Sequence, residues 1–292
     1  MSETLRLGYV GLGNIGGPMA AKLAAWPGGL TVYDLSDDAV AKIVDAGATA
    51  AGSLTELAAA ADIIGICVLD DEQVHTVVDG LLSAAAQGTV IAVHSTISPD
   101  TAVELADRCS NVGVTLLDAP ISGGAAGAEQ GRLAIMVGGD RDAYLRLKEP
   151  FGVVSDMLVH AGQSVGSGIR MKLARNLLHF ISFTATTEAA RLAEAAGIDI
   201  AKLGKVVRHT DAITGGAGAI MLRDNTAEIH PDDFWYSVFT HVRGLGEKDL
   251  SLALDLGREL GVDLPLGEIS LRDLASGLGV PHHRTRTSEG EH

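Results

Sequence analysis

Short apolar runs and amphipathic segments alternate through the first half of the chain. The apolar runs have the length of strands buried in a parallel sheet, and the segments between them have helical periodicity. This alternation predicts an α/β fold, a doubly wound and mostly parallel sheet. The predicted strands are 5–10, 30–33, 63–69, 89–93, 114–117, 133–137 and 158–160, and the predicted helices are 18–26, 37–46, 54–61, 72–82, 99–109 and 140–149.

The alternation stops near Gly166, and the second half has helical periodicity throughout. The pattern therefore predicts an all-α C-terminal domain after the sheet domain. We divide the chain into a sheet domain at 1–163, a helical domain at 164–280 and a flexible tail at 281–292. The helices of the second domain are predicted at 168–196, 199–208, 216–223, 237–260 and 266–277.

A glycine-rich motif, G-x-G-x-x-G, directly follows the first predicted strand and precedes a helix. In this position the first glycine permits a tight turn, the second lets a pyrophosphate approach the backbone, and the third lets the helix pack closely on the strand. The helix N-terminus adds free N–H groups for the phosphates. The motif predicts a Rossmann-type dinucleotide site made by Gly11, Leu12, Gly13, Asn14, Ile15 and Gly16.

An acidic residue, Asp34, ends the second predicted strand. A carboxylate at that point can accept hydrogen bonds from both ribose hydroxyls of the adenosine, and it repels a 2′-phosphate. No arginine follows it in residues 35–38. The sequence therefore predicts NAD as the cofactor rather than NADP. The alternative is that Asp34 only caps the helix that begins near Ser36.

The segment Asp118 to Gly124, with the sequence D-A-P-I-S-G-G, is the second informative stretch. A strand ends at Asp118, and the backbone of Ser122, Gly123 and Gly124 has little steric cover. Such a run of N–H groups can form a nest for a carboxylate. It can equally be an ordinary loop, and the pattern by itself leaves both open.

Two helical faces carry further candidate residues. Lys172 and Asn176 are four residues apart, so they share one face of the long helix that follows Gly166. A cation and an amide placed in this way can hold a polar substrate. His241 lies seven residues before Lys248 on another helix, and we predict that it contacts the substrate. A packed or solvated histidine is the alternative.

Composition excludes several classes of function. The formal charge of −15 argues against binding to nucleic acid or to an anionic membrane. The two cysteines form neither a disulfide framework nor a zinc motif, so we predict no metal and a reducing compartment. The first strand begins at residue 5, which leaves no room for a signal peptide, and no apolar stretch is long enough to span a membrane. We therefore expect a cytoplasmic protein.

Four motifs in one order resemble the β-hydroxyacid dehydrogenases, a family that includes 3-hydroxyisobutyrate dehydrogenase and tartronate semialdehyde reductase. The resemblance covers residues 5–280. The segment 11–20 is similar to the cofactor motif of the family, and 118–124 is similar to its substrate motif. Residues 168–176 resemble the catalytic G-x-x-x-K-x-x-x-N, and 248–250 resemble a late K-D-L.

The resemblance implies hydride transfer between NAD and the primary alcohol of a small β-hydroxy acid, which gives a semialdehyde. It implies that Lys172 is the general acid/base and that Asn176 holds the substrate. It also implies a homodimer or homotetramer, because the helical domains of the family usually pair across subunits. Further implied contacts are Ser122, Gly123 and Gly124 with the substrate carboxylate, and Leu69, Thr96 and Lys248 with the cofactor.

Three alternative functions stay open at this point. Imine reductases of the same superfamily usually replace the catalytic lysine, whereas this chain keeps Lys172. Decarboxylating phosphogluconate dehydrogenases have a much longer helical domain. A sensor that binds NAD without turnover would need neither Lys172 nor Asn176.

The chain also departs from the family pattern at several positions. His94 stands where a smaller or acidic residue is common, and the segment with His241 and Arg243 lacks the usual proline-glycine-aromatic pattern. These departures lead us to expect a substrate that is larger or more anionic than hydroxyisobutyrate.

Overall fold

The computed structural model describes residues 4–220, 222–223 and 225–282 of the chain. The chain divides into two compact units, one up to Asn176 and the other from Leu177 onward. Most of the predicted tail, from residue 283 onward, lies outside the described residues.

The first unit is built on one nine-stranded sheet. Three neighbouring central strands are short and fully buried, as their continuous apolar runs predict. The strands are β1 (Leu7–Val10), β2 (Leu30–Tyr33), β3 (Thr49–Ala50), β4 (Ile63–Ile66), β5 (Val90–Val93), β6 (Thr115–Asp118), β7 (Ile121–Ser122), β8 (Leu133–Gly138) and β9 (Ser155–Gly162).

The strand order is β3-β2-β1-β4-β5-β6-β8-β7, with β9 also paired to β8. The six strands from β3 to β6 pair in parallel, and β1 aligns Leu7 with Leu30 on one side and with Ile63 on the other. Strand β8 is antiparallel to β6 and β7 and parallel to β9. The predicted doubly wound, mostly parallel sheet is confirmed. The carboxyl ends of its parallel strands therefore share one edge, where ligands of such sheets bind.

Seven helices complete the first unit, and the second unit is helical. Helix α8 begins in the first unit and continues into the second. The helices are α1 (Gly16–Leu23), α2 (Asp37–Asp45), α3 (Leu54–Ala60), α4 (Asp71–Leu82), α5 (Pro99–Ser110), α6 (Gly124–Gln130), α7 (Arg141–Phe151), α8 (Ser167–Ala195), α9 (Ile200–Thr214), α10 (Phe234–Leu260) and α11 (Pro265–Gly277). None of the helices in the described ranges has the length and apolar character needed to cross a bilayer.

Two apolar clusters lie on the two faces of the sheet. One contains Tyr9, Met19 and Phe151, and the other contains Ile64 and Leu105. The presence of a buried cluster on each face explains why the strands are apolar at successive positions rather than at alternate ones.

The predicted helix at 216–223 is wrong. Among the described residues of this range, only a 3₁₀ turn forms, at Gly216–Gly218. Gly215 and Gly216 both have positive φ, of 90° and 56°, which ends α9 and prevents a new α-helix from starting at that point.

In the second unit α10 packs against α11, and a buried side chain joins α11 to α8. The carboxylate of Glu188 on α8 accepts hydrogen bonds from the backbone N–H groups of Leu266 (2.9 Å) and Gly267 (3.1 Å), in the first turn of α11. An anion at a helix N-terminus satisfies N–H groups that have no partner within the helix.

Candidate active site

The glycine-rich turn is compact at two glycines and open at the third. A Cβ atom on Gly11, whose φ is +91°, would lie 2.2 Å from the Cys67 carbonyl oxygen, and one on Gly16 would lie 2.0 Å from the Gly11 oxygen. A Cβ on Gly13 would have no described atom within 4 Å. The turn therefore packs tightly against β4 and leaves the backbone at Gly13 accessible to a ligand.

Asp34 follows β2, and backbone donors fix its carboxylate. It accepts hydrogen bonds from the N–H groups of Leu12 (2.6 Å) and Ser36 (2.8 Å), so it is connected directly to the glycine-rich turn. The cap of α2 is Ser36, whose hydroxyl accepts from the N–H of Ala39. Asp34 is therefore not the residue that caps this helix, and its charge faces the turn.

The glycine-rich turn, Asp34 and Leu69 line one cavity of about 940 Å³. An open backbone at Gly13, a fixed carboxylate and a cavity of this size fit a dinucleotide. Leu35 and Leu69 are 91% and 85% exposed, which is unusual for large apolar side chains. Contact with a ligand would explain this exposure. Sequence reasoning missed Leu35, although an apolar residue directly after the predicted acid was the available signal. The cavity also includes Tyr33, Leu54, Gln73 and Thr76.

Strands β4 and β5 are joined just beyond their carboxyl ends. The Ser95 hydroxyl donates to the Val68 carbonyl oxygen (2.7 Å) and lies 2.9 Å from the Val68 amide nitrogen. Leu69 and Thr96 each follow one of these two residues, and both are exposed at the ligand-binding edge of the sheet. Their contact with a cofactor stays a prediction.

Asp118, at the end of β6, holds the start of α8. It is fully buried, and its carboxylate oxygens accept from the N–H groups of Gly166 and Ile169, each at 2.7 Å. Burial raises the pKa of Asp118, and these N–H donors oppose that shift. Sequence reasoning took Asp118 only as part of a motif and did not predict this link.

Lys172 lies one turn into α8, and its side chain is buried. Its Nζ donates to the carbonyl oxygen of Ile121 at 2.5 Å, next to Ser122. Burial lowers the pKa of Lys172, and the nearby positive charge of Arg175 lowers it further. The structure therefore brings the predicted general base to the predicted carboxylate motif.

The Ser122 to Gly124 segment has an unusual backbone. Strand β7 ends at Ser122, Gly123 and Gly124 have φ values of +129° and +63°, and α6 starts at Gly124. Only glycine adopts these values readily. The backbone here is a defined strand-to-helix turn, and its use as a carboxylate nest stays a prediction.

Asn176 is one turn beyond Lys172 on α8. Its side-chain oxygen accepts a hydrogen bond from the Arg175 guanidinium at 3.3 Å. The predicted pair of Lys172 and Asn176 is therefore accompanied by a second cation that sequence reasoning did not single out.

His241 and Lys248 lie on α10 in the second unit, where both are exposed. Lys248 pairs with Asp249 at 3.1 Å. Arg243 is buried and donates to the Pro281 carbonyl oxygen at 2.5 Å, with Glu247 at 3.7 Å. Arg243 therefore has a carbonyl and a carboxylate partner within its own unit, while its buried Nε makes no hydrogen bond among the described atoms. The roles of His241 and Lys248 stay predictions.

The glycine-rich turn, the acid after β2 and the doubly wound sheet define a dinucleotide-binding protein of the Rossmann type. Comparison with known families agrees with this class. Residues 6–162 match a family described as the NAD binding domain of 6-phosphogluconate dehydrogenase. Residues 166–276 match the NAD-binding domain of NADP-dependent 3-hydroxyisobutyrate dehydrogenase. The chain belongs to the 3-hydroxyisobutyrate dehydrogenase family of NAD-dependent hydroxyacid dehydrogenases.

Relatives in sequence extend along nearly the whole chain. An uncharacterized oxidoreductase of Mycobacterium tuberculosis is 55% identical over 98% of both chains. The 3-hydroxyisobutyrate dehydrogenase of Pseudomonas aeruginosa is 33% identical over 90% of this chain and 89% of its own. The 2-(hydroxymethyl)glutarate dehydrogenase of Eubacterium barkeri is also 33% identical, over 91% and 87%.

Solved structures show the same similarity. A Mycobacterium avium protein assigned as an oxidoreductase is 56% identical, with a TM-score of 0.92 over 95% of this chain and 100% of its own. Mycobacterium tuberculosis 3-hydroxyisobutyrate dehydrogenase with L-serine is 28% identical, with a TM-score of 0.67 over 94% and 93%. A Pseudomonas imine reductase is 23% identical, with a TM-score of 0.69 over 93% of each chain, and shares only the fold.

Proposed function

We propose that this protein oxidises the primary alcohol of a small β-hydroxy acid to a semialdehyde, with NAD as hydride acceptor and Lys172 as general acid/base. The observation that carries the proposal is the buried Lys172 ammonium, 2.5 Å from the Ile121 oxygen and adjacent to Ser122. A base at that position can serve an alcohol whose carboxylate is bound by the backbone of Ser122, Gly123 and Gly124.

The proton transfer follows from the environment of Lys172. A lysine accepts a proton only in its neutral form, and burial favours that form by lowering its pKa. The hydrogen bond to Ile121 fixes the direction of the amine, so that its lone pair can point toward the substrate hydroxyl. Bound NAD would take the hydride from the carbinol carbon, and Asn176 would hold the substrate oxygen.

The choice of NAD is supported by Asp34. Its two backbone donors hold the carboxylate in place beside the turn. A 2′-phosphate would meet this charge without an arginine to neutralise it. This favours NAD even though the second matching family is described as NADP-dependent.

The substrate class is supported by what the relatives are named for. Hydroxyisobutyrate, 2-(hydroxymethyl)glutarate and L-serine all carry an alcohol on the carbon next to the one that bears the carboxylate. We expect a substrate of this kind here, with Leu69, Thr96 and Lys248 at the cofactor and His241 at the substrate. A cytoplasmic homodimer or homotetramer remains our expectation.

The test is the appearance of reduced cofactor when the protein is mixed with NAD, or with NADP, and a panel of β-hydroxy acids graded by size and charge. We expect turnover with NAD and one group of acids. Lys172→Ala should lower kcat by about 10²- to 10⁴-fold without loss of NAD binding. The matched control is Lys148→Ala on α7, which removes an exposed lysine of the same unit.

The pH dependence gives a second readout. Because the pKa of Lys172 is lowered from its usual 10.5, kcat/KM for alcohol oxidation should rise with pH, and the midpoint of the rise should lie below that value. Failure to oxidise any acid, with NAD binding intact, would favour an imine reductase or an NAD sensor instead. Full activity in Lys172→Ala would remove Lys172 from the mechanism.

A further inference from the structure

Arg175 is a cation of α8 that the proposed mechanism does not require. It lies three residues after Lys172, about 4.5 Å further along the helix axis and on a neighbouring part of the same face. Its Nη1 atom donates to the side-chain oxygen of Asn176 at 3.3 Å. The guanidinium therefore lies against the amide that we assign to the substrate.

No carboxylate of the described chain pairs with Arg175. Other arginines of the first unit have such partners, among them Arg108 with Asp79 and Arg132 with Asp156. Arg175 is exposed, and within the described chain its side chain hydrogen-bonds to a neutral amide. Its positive charge also disfavours the protonated form of its neighbour Lys172. A guanidinium in this position is available for an anion from outside the chain.

We propose that Arg175 binds a second carboxylate of the substrate, so that the preferred substrates are β-hydroxy dicarboxylic acids. This rests on the function proposed above. One carboxylate would bind at Ser122 to Gly124, the alcohol at Lys172 and the far carboxylate at Arg175. The planar fork of the guanidinium can make two parallel hydrogen bonds to that carboxylate, which a lysine cannot.

Arg170 provides a matched comparison on the same helix. It is exposed and belongs to the same unit, and no carboxylate of the described residues is recorded as its ion-pair partner. It precedes Lys172 by two residues, which places it about 200° around the helix and on the opposite face. Substitution of Arg170 therefore removes the same charge from the same helix, but at a position away from the site.

The experiment compares diacids with neutral analogues. The substrates are 2-(hydroxymethyl)succinate, 2-(hydroxymethyl)glutarate and 2-(hydroxymethyl)adipate, each beside the derivative in which the far carboxylate is a carboxamide. Wild-type protein should prefer at least one diacid by roughly 10- to 100-fold in kcat/KM. Arg175→Met should abolish that preference, mainly by raising KM for the diacid. Arg175→Lys should keep part of it, and Arg170→Met should keep all of it.

The ratio of kcat/KM for the diacid to kcat/KM for its amide separates substrate binding from effects on Lys172. Any change in the base alters kcat/KM for both substrates by the same factor. Equal activity of wild-type protein toward each diacid and its amide would overturn the assignment while leaving the dehydrogenase function in place. An equal loss for both substrates in Arg175→Met would also overturn it. Absence of turnover with every acid, monocarboxylates included, would remove the dehydrogenase function and this inference together.

Discussion

At the scale of single residues, His94 differs from the family pattern and is a buried residue of the core. Its ring is stacked on Tyr9, with centroids 5.9 Å apart, and lies 5.1 Å from the ring of Phe151. Its Nδ1 lies 2.9 Å from the Ala119 carbonyl oxygen, and its Nε2 has no partner among the described atoms. The sequence suggested a link to the substrate, whereas the structure gives His94 a packing role.

Burial of His94 predicts a loss of stability in mild acid. Burial lowers its pKa from 6.5 to about 4, so the unfolded chain takes up the proton first as the pH falls. The stability that the neutral ring contributes is complete above pH 6.5 and is lost as the pH falls toward 4. Between pH 7.5 and 5 the loss is about 2 kcal/mol. Urea unfolding at these two pH values measures it.

His94→Gln should reduce this pH dependence, because the amide can still donate to Ala119 and does not titrate. The matched control is His209→Gln, which replaces an exposed histidine of α9 and should leave the dependence unchanged. If wild-type protein and His94→Gln lost the same free energy of unfolding between the two pH values, another group would be responsible.

The glycine-rich turn was predictable because local geometry determines it. A tight turn between a strand and a helix requires glycine at Gly11 and Gly16 whatever the rest of the fold does. The link from Asp118 to Gly166 was not predictable in this way, because it depends on where distant segments meet, which no spacing along the chain encodes. Arg175 lies three residues after Lys172, so helical spacing was an available signal for it.

At the scale of elements, the attachment of α8 to β6 sets the position of Lys172. The two oxygens of Asp118 each accept from a different N–H group at the start of α8. Close packing surrounds them, since a Cβ on Gly138 would lie 2.4 Å from one oxygen and a Cβ on Gly168 would lie 3.0 Å from the other. Lys172 follows within one turn, so the orientation of this turn sets the direction of the amine.

Asp118→Asn should lower both stability and activity. The amide NH₂ group cannot accept a hydrogen bond, so one buried N–H of α8 loses its acceptor and faces another donor. We expect a loss of about 1–3 kcal/mol in the free energy of unfolding and a lower kcat with little change in NAD affinity. Thermal unfolding and steady-state kinetics with NAD test this.

Asp140→Ala is the control for Asp118→Asn. Asp140 caps α7 by accepting from the Ala143 N–H at 2.8 Å, in the same unit but on a helix that carries none of the site residues. Loss of this cap should cost about 0.5–2 kcal/mol of stability and leave kcat unchanged. A fall in kcat of the same size in both variants would mean that activity follows stability rather than the position of α8.

Element predictions succeeded where periodicity was long and failed where it was absent. The predicted strand at 30–33 agrees with β2, and the predicted helix at 168–196 differs from α8 by one residue at each end. Strands β3 and β7 have two residues each, too few to show an alternation. Helix α6 begins at Gly124 in a segment that has three more glycines within or beside it, so its composition indicated an open loop.

At the scale of the whole molecule, the second unit leaves many large apolar side chains exposed. Its recorded buried cluster contains Ile229, Phe239, Leu278 and Val280. On α8, by contrast, Phe180 and Phe183 are 60% and 53% exposed, and Leu177 and Ile181 are exposed as well. Large side chains clustered on one helix in this way are typical of a surface that another protein covers.

We predict that a second copy of the chain covers this part of α8, as the family resemblance implies. Sedimentation velocity should show a species of at least twice 30.1 kDa. Phe180→Glu with Phe183→Glu should shift it toward the monomer, because a two-fold interface loses each apolar contact twice and gains buried charges. Leu145→Glu on α7, at a side chain 50% exposed in the first unit, should leave the mass unchanged. A wild-type monomer at micromolar concentration would contradict the prediction and would leave these phenylalanines to another partner.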